Sequence, residues 1–488
     1  MTGSMKSLLQ DGVRRHQAGD LAAAQRCYEA VLAQQPDQPD ALHLLGLLAD
    51  HHGDHLRAID LIGRAIAQVP DQAEWHGNLA TALLAAGRPA DAEVSYKRAV
   101  TLDPRYVEGH YNLANLLRGR GDAAAAAAEF EIALALQPGH VPARNNLAML
   151  LWEDLGDTAA AGRHFRLLLA LAPNAASVHM NYGLFRLSAG AYAEGWVEYE
   201  WRWRNEEYDE RDWGLGLPRW DGAALKGGGL LLWGEQGVGD QILYGTMLRD
   251  AAARSGARVA VAVDPRLVDL FRRSLAPHGI TVVARGTPID AAAQCPFGSL
   301  GRWLRREAGD FAAGGIDLVA DETRRTALRA RYQAMAGDRR LVGLSWRSTN
   351  RRIGVDKSIP VHDLLPALRQ PGIQWISLQY GDCAEDLAAL RGAGIAIHDD
   401  PAIDGFRDLD GFAAQVAALD DVVTVSNTTV HVAGGLGVPC RLLLPAGRGR
   451  LWYWPVSGNI CPWYRSVRIT RQTQAGDWTA ALAAAIGP

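Results

Sequence analysis

The first two hundred residues carry a helical pattern in which bulky, small and turn-forming positions return in one phase. Bulky residues fall at Tyr28, Ile62, Tyr96 and Phe130, and small ones at Ala24, Ala58, Ala92 and Ala126. Prolines at Pro36, Pro70, Pro104, Pro138 and Pro173 are separated by steps of 34, 34, 34 and 35 residues. Glycines at Gly19, Gly53, Gly87, Gly121, Gly156 and Gly190 follow the same spacing. The pattern predicts helical hairpins. Glycine, or Gly-Asp, ends the first helix where a left-handed backbone is needed. Alanine lets the paired helices approach, and the bulky residue fills the gap to the neighbouring pair. Proline cannot continue the second helix and starts the next turn. A single hairpin cannot bury its own apolar face, so the units are expected to stack with a concave groove. Five units are clear; a sixth, from about Ala176 to Arg202, is degenerate.

After Lys226 the pattern changes to short apolar runs alternating with helical stretches. Candidate strands are Leu230–Trp233, Val259–Val263, Thr281–Ala284, Leu341–Trp346, Gln374–Leu378, Ile395–Ile397, Val422–Val425 and Arg441–Leu444. Helices are expected over Gln241–Ser255, Gly411–Leu419 and the terminal Trp478–Ile486. Such alternation predicts two parallel, doubly wound sheets. The expected division is a helical array over 5–204, a Trp-rich linker over 205–225, and halves over 226–337 and 338–488, joined near Gly337. In the linker, Trp201, Trp203, Trp213 and Trp220 read as a packed junction, with a sugar-stacking platform as the alternative.

A period of 34 with these residue types resembles the tetratricopeptide (TPR) family. Asn78, Asn112, Asn146 and Asn181 hold one position of the first helix in successive units, and in TPR proteins that position faces the groove. Amides donate and accept, so a ladder of them suits the backbone of an extended peptide. The ladder resembles that of O-linked N-acetylglucosamine transferases. The alternative is that these asparagines only pack the helix pair.

Composition narrows the function classes. With a net charge of -4, no basic field points to nucleic acid. No run of about 18 apolar residues suggests a membrane span, and the start MTGSMKSLLQDGVRR lacks an apolar signal core, so a cytoplasmic protein is expected. The five cysteines form no CxxC pair, hence neither a zinc site nor a disulfide framework is expected.

Four segments carry candidate chemistry. In LLLWGEQGVGDQILYG, Gly237 and Gly239 allow a tight turn close to a ligand. Asp240, where a helix begins, fits two roles there: a base for an acceptor hydroxyl or a cap of the helix. In VVTVSNTTVHVAGGLGVP a helix follows the loop of Ser426, Asn427, Thr428 and Thr429. Amides at that helix start would bind phosphate, and His431, one turn in, reads as a buried structural histidine or a phosphate contact. In LSWRSTNRRIGVDKSIP, Arg347, Arg351, Arg352 and Lys357 are either a solvated surface or a cationic group that neutralises a leaving phosphate. In WISLQYGD, Gln379 could read a base or ribose. The segment CPWYRSVRITRQ reads mainly as core. The one DxD string, Asp408-Leu409-Asp410, reads as a helix N-cap rather than a metal site.

These segments occur in an order that resembles the heptosyltransferase-like glycosyltransferases of the GT-B fold. The whole chain is similar to TPR-containing flagellin glycosyltransferases. The fold class implied is an all-α TPR superhelix followed by an α/β GT-B pair of Rossmann-like domains. The resemblance implies a metal-independent, inverting glycosyltransferase that needs no cofactor beyond a nucleotide-sugar substrate. Asp240 would be its base, and Gly239, Arg347, Lys357, Gln379, Ser426, Asn427, Thr428, Thr429 and His431 its donor contacts. The acceptor would be a flagellin-like protein. An Asp-Thr pair usual in heptosyltransferases is Ser426-Asn427 here, so ADP-heptose does not follow; a CMP- or UDP-linked sugar, such as a CMP-linked nonulosonic acid, is the implied donor. Two other functions fit the residues: transfer to an envelope glycan, or a non-catalytic TPR scaffold with a decayed transferase domain.

Overall fold

The computed structural model describes residues 3–206, 208, 213–311, 317–350 and 353–487. Its contacts divide the chain into two compact units, Met1–Pro173 and Asn174–Pro488.

The first unit is helical throughout its described elements. Its five hairpins pair α1 (Gly3–Gln17) with α2 (Leu21–Gln34), α3 (Pro39–His51) with α4 (His55–Gln68), α5 (Ala73–Ala85) with α6 (Pro89–Leu102), α7 (Val107–Gly119) with α8 (Ala123–Leu136), and α9 (Val141–Glu153) with α10 (Thr158–Leu171). The repeated residues do the work the pattern predicts. Gly19, Gly53, Gly87, Gly121 and Gly156 all have positive φ, between 71° and 87°. Ala24, Ala58, Ala92 and Ala126 are buried, and so are Tyr28, Ile62, Tyr96 and Phe130. The aspartate after the glycine adds a cap: the carboxylates of Asp20, Asp54, Asp122 and Asp157 each accept the backbone N–H three residues on.

The second unit opens with one more hairpin in the same phase, α11 (Ala176–Ser188) and α12 (Tyr192–Tyr199). The repeat pattern predicts an array to residue 204, whereas this hairpin belongs to the second unit. The reason is its buried face. Leu187, Trp196 and Tyr199 join the same apolar core as both sheets. The Trp196 indole N–H donates to the Arg305 carbonyl at 2.8 Å. Its ring lies so close to Gly301 that a Cβ there would stand 2.1 Å away.

A four-stranded sheet follows, ordered β3-β2-β1-β4. Its strands are β1 (Gly229–Trp233), β2 (Arg258–Val263), β3 (Thr281–Ala284) and β4 (Ala293–Pro296), all parallel. The helical stretch after β1 is broken into α13 (Val238–Gly245) and α14 (Leu248–Ser255). The Arg305 guanidinium donates to the buried Thr246 carbonyl at the break, at 3.1 Å. Then come α15 (Val268–Leu275), the short α16 (Gly301–Leu304) and α17 (Glu322–Ala336).

The six-stranded sheet is ordered β10-β9-β8-β5-β6-β7 and is also parallel. It comprises β5 (Arg340–Ser345), β6 (Ile373–Ser377), β7 (Ile397–His398), β8 (Asp421–Val425), β9 (Cys440–Leu444) and β10 (Val467–Arg471). Its helices are α18 (Val361–Leu368), α19 (Ala384–Gly392), α20 (Leu409–Ala417), α21 (Thr428–Gly435) and α22 (Thr479–Ile486). Continuous apolar strands with cover on both faces are what a parallel sheet demands. One face of this sheet joins the large core, while the other packs under α18, α19 and α22.

The outer face of the four-stranded sheet is covered differently. Trp203 and Trp213 lie on Trp233 of β1, with ring centroids 5.7 and 4.7 Å away. The Trp-rich segment is therefore a packing layer.

Candidate functional site

In each sheet the strand order reverses once, between β1 and β4 and between β5 and β8. Loops leaving the carboxyl ends of such strands turn in opposite directions and open a crevice, where ligands of open parallel sheets bind. A cavity of about 1200 Å³ lies there, walled by the loops after β1, β2, β5, β6 and β8.

Asp240, Lys357 and His431 all line this cavity. Asp240 is the third residue of α13, and the Gly237 N–H donates to its carboxylate at 3.2 Å. The helix-capping role thus holds, while the cavity lining leaves the carboxyl available to a ligand. Gly239 sits close to the other loop: a Cβ there would stand 3.0 Å from His431 Cδ2 and 3.7 Å from the Thr428 Cα. This is how the starts of α13 and α21 come together.

Burial shapes the chemistry. Desolvation raises the Asp240 carboxyl from 3.8 to about 6, against the opposing pull of the Gly237 N–H and the Lys357 cation. Lys357 is 3% exposed, and burial brings its ammonium from 10.5 down to about 8, opposed by Asp240. His431 is 2% exposed; burial, then Lys357, lowers it to about 3, so it is neutral near pH 7. Its Nδ1 lies 3.1 Å from the Tyr464 hydroxyl, and its ring stacks on Trp454.

The loop before α21 is more committed to the protein than its sequence suggests. The Asn427 side chain caps Thr429 N–H at 3.0 Å, and its amide donates to Ser345 Oγ and the Arg347 carbonyl. It therefore ties β8 to β5. Ser426 Oγ accepts from the Trp454 indole at 2.8 Å. Thr428 N–H donates to the Tyr380 hydroxyl at 3.3 Å. Two of the helix-start amides expected to be open thus already have protein partners. Ser426, Asn427 and Thr428 line the cavity; Thr429 is fully buried and does not.

Gln379 and Arg347 stand apart from the cavity lining. The Gln379 carbonyl oxygen accepts the backbone N–H groups of Trp346 and Arg347, at 3.1 and 2.8 Å, so it holds the turn after β5. The Arg347 guanidinium pairs with Asp386 at 3.0 Å. Arg351 and Arg352 lie outside the described residues. In the DxD string, Asp408 caps α20 through the Gly411 N–H at 2.8 Å, and Asp410 pairs with Arg273.

The four ladder asparagines are half-buried. Two of them stitch successive hairpins: the Asn78 amide meets His43 Nε2 at 3.0 Å, and that of Asn146 donates to Asn115 at 2.8 Å. Asn181 lies on α11, the helix whose Met180 and Leu184 line the cavity.

Several wall residues escaped the sequence reading. Tyr380 adjoins the residue singled out in WISLQYGD. Trp452 and Tyr453 lie in a WYW run between β9 and β10, and Gln236 sits inside the Gly-rich turn itself. Tyr199 ends α12, and Asn205 and Tyr208 come from the connector after it.

A tetratricopeptide repeat profile matches residues 14–73, 52–107 and 111–176, so the first unit is a TPR array. Over 313 residues the chain is 31% identical to Protein FlbA of Caulobacter vibrioides, covering 60% of this chain and 51% of that protein. The chain therefore spans about half the length of this curated relative. Among solved structures, PilW, described as a widely conserved type IV pilus biogenesis factor, is 20% identical, covering 43% of this chain and 97% of its own with a TM-score of 0.39. PilF of Pseudomonas aeruginosa is 18% identical, covering 41% and 89%, with a TM-score of 0.37. Such partial overlaps do not bear on what the chain does.

Proposed function

We propose that the chain is a GT-B-type glycosyltransferase that moves a sugar from a nucleotide-sugar donor to a Ser or Thr hydroxyl of a flagellin-like protein recruited by its TPR array. One observation carries the reading: Asp240, Lys357 and His431, drawn from both sheets, line a single cavity at the carboxyl ends of the switch-point strands. The protein-partner half rests on the repeats, which commonly hold peptides.

The step is a direct displacement. The Asp240 carboxylate takes the proton of the acceptor hydroxyl as that oxygen bonds to the anomeric carbon. The bond from that carbon to the donor phosphate breaks, and its electrons leave with the nucleotide. Lys357 and the start of α21 balance the departing charge. His431, neutral and held by Tyr464, offers its ring edge as a hydrogen-bond partner.

Two measurements test this. Asp240→Asn should lower transfer by a hundredfold or more while leaving donor affinity intact, since general-base removal acts on the chemical step; near-wild-type turnover would reject the role. A thermal-shift series with UDP, GDP, ADP and CMP should single out one nucleotide. At a hundred times its dissociation constant it stabilises the fold by about 2.7 kcal/mol. Stabilisation by none of the four would count against any nucleotide-sugar donor among them.

A further inference from the structure

Just before Asp240, Gln236 is the one non-glycine residue with positive φ among the described residues, at 64°. Non-glycine residues rarely hold this left-handed conformation, and they persist there when their surroundings over-determine it. The surroundings do so here. The single Gln236 side-chain nitrogen donates both its hydrogens, one to the Tyr199 hydroxyl at 2.6 Å and one to the Tyr208 hydroxyl at 2.7 Å. The Gln236 carbonyl accepts from the Gln241 amide at 3.3 Å.

The preceding residue is fixed as firmly. Glu235 is fully buried and accepts two hydrogen bonds from Arg202, at 3.1 and 2.8 Å. It also accepts from the Tyr208 hydroxyl at 2.9 Å and the Gly298 N–H at 2.7 Å. Tyr199, Arg202 and Tyr208 all come from the end of the helical hairpin and its connector. The following residue, Gly237, gives the N–H that holds the Asp240 carboxylate. The direction of that N–H is set by the backbone angles at Gln236.

We infer that Gln236 is a positioning residue: Tyr199 and Tyr208 hold it in the left-handed conformation that aims the Gly237 N–H at Asp240, so the helical connector sets the carboxylate's direction. That Asp240 is the reacting base rests on the proposed function; that Gln236 orients it does not.

The groups facing Asp240 are Lys357, Glu235, His431, Tyr244, Tyr453 and Tyr464. They are unchanged in the variants that follow. The full chain is prepared with carboxyl-labelled aspartate, and the Asp240 resonance is assigned by its loss in Asp240→Asn. Its titration is then followed by NMR in the wild type, in Gln236→Gly, and in the double variant Tyr199→Phe/Tyr208→Phe. Glycine relieves the backbone and removes the clamp while leaving the Tyr208 bond to Glu235; the double variant keeps the glutamine and removes its anchors together with that bond, so the two variants must agree. Losing a hydrogen bond to the ionised form raises a carboxyl pKa. Both variants should therefore raise the midpoint by half a pH unit or more. Turnover should fall about tenfold.

An unmoved midpoint in Gln236→Gly, with a folded chain, overturns the inference. So does an unmoved midpoint in a folded double variant. If the wild type transfers no sugar yet both midpoints rise, the clamp stands and the transferase reading falls. Normal transfer with an unmoved midpoint sinks the clamp and leaves the transferase.

Discussion

At the residue scale, Asp240 and Lys357 have been brought toward each other by burial, one to about 6 and the other to about 8. In the proposed transfer the base must be ionised and the phosphate partner cationic. The dependence of kcat/KM on pH should therefore be a bell with limbs near 6 and 8. A profile flat from pH 5 to 9 would show that neither group titrates in the rate. Stability runs the other way. The Asp240 pKa is raised on folding, so between about 4 and 6 the folded chain binds more protons, and stability falls as pH rises through that window. The Lys357 pKa is depressed, so between about 8 and 10.5 the unfolded chain binds more protons and stability recovers as pH rises. The contribution of these two groups is lowest between pH 6 and 8, where activity should peak. Denaturant midpoints measured across pH in the wild type and in Asp240→Asn should show the acid-side change only in the former.

At the element scale, the hairpins of the array depend on a few interlocking side chains. Phe130 is fully buried on α8 and stands in phase with Tyr28, Ile62 and Tyr96. Phe130→Ala should cost about 3–5 kcal/mol, and it should loosen the neighbouring hairpins first because each repeat contacts only its neighbours. Hydrogen exchange would show this as faster exchange in α7 to α9; uniform exchange across the unit would contradict it. The array was legible because its residues recur and each recurrence has one physical cause. Eight strands were legible as apolar runs, with ends within about two residues. Two were not: β4 is a short AQCP, and β10, VRITR, has two apolar residues among two arginines and a threonine. The break between α13 and α14 is held by Arg305, 59 residues downstream of Thr246, so no local pattern announces it. For the site, the Gly-Asp turn and the helix-start loop stood out because glycine and capping residues mark them. Tyr380 and Tyr208 did not, since a wall made by tertiary folding has no spacing. Gln379 and Arg347 looked chemical but hold each other's loop and Asp386.

At the scale of the whole molecule, the boundary after Pro173 has a practical meaning. A fragment beginning at Asn174 keeps α11, α12 and the Arg202–Glu235 pair. One beginning at residue 205, where the sequence alone would cut, loses Trp196 and Tyr199 from the core and leaves Glu235 buried without its cation. Stranding one partner of a buried pair costs about 3–5 kcal/mol before any lost packing. The longer fragment should melt cooperatively and bind nucleotide, and the shorter should not fold; equal melting of the two would refute the assignment of the hairpin. The longer fragment should also fail to modify a protein acceptor if the array recruits it.

Trp203 and Trp213 lying over Trp233 have a further consequence. Indole rings 4.7–5.7 Å apart couple their electronic transitions. Seating of the connector on its sheet should therefore produce a paired circular-dichroism band of opposite signs in the ultraviolet, an unlabelled optical gauge of whether that layer is in place.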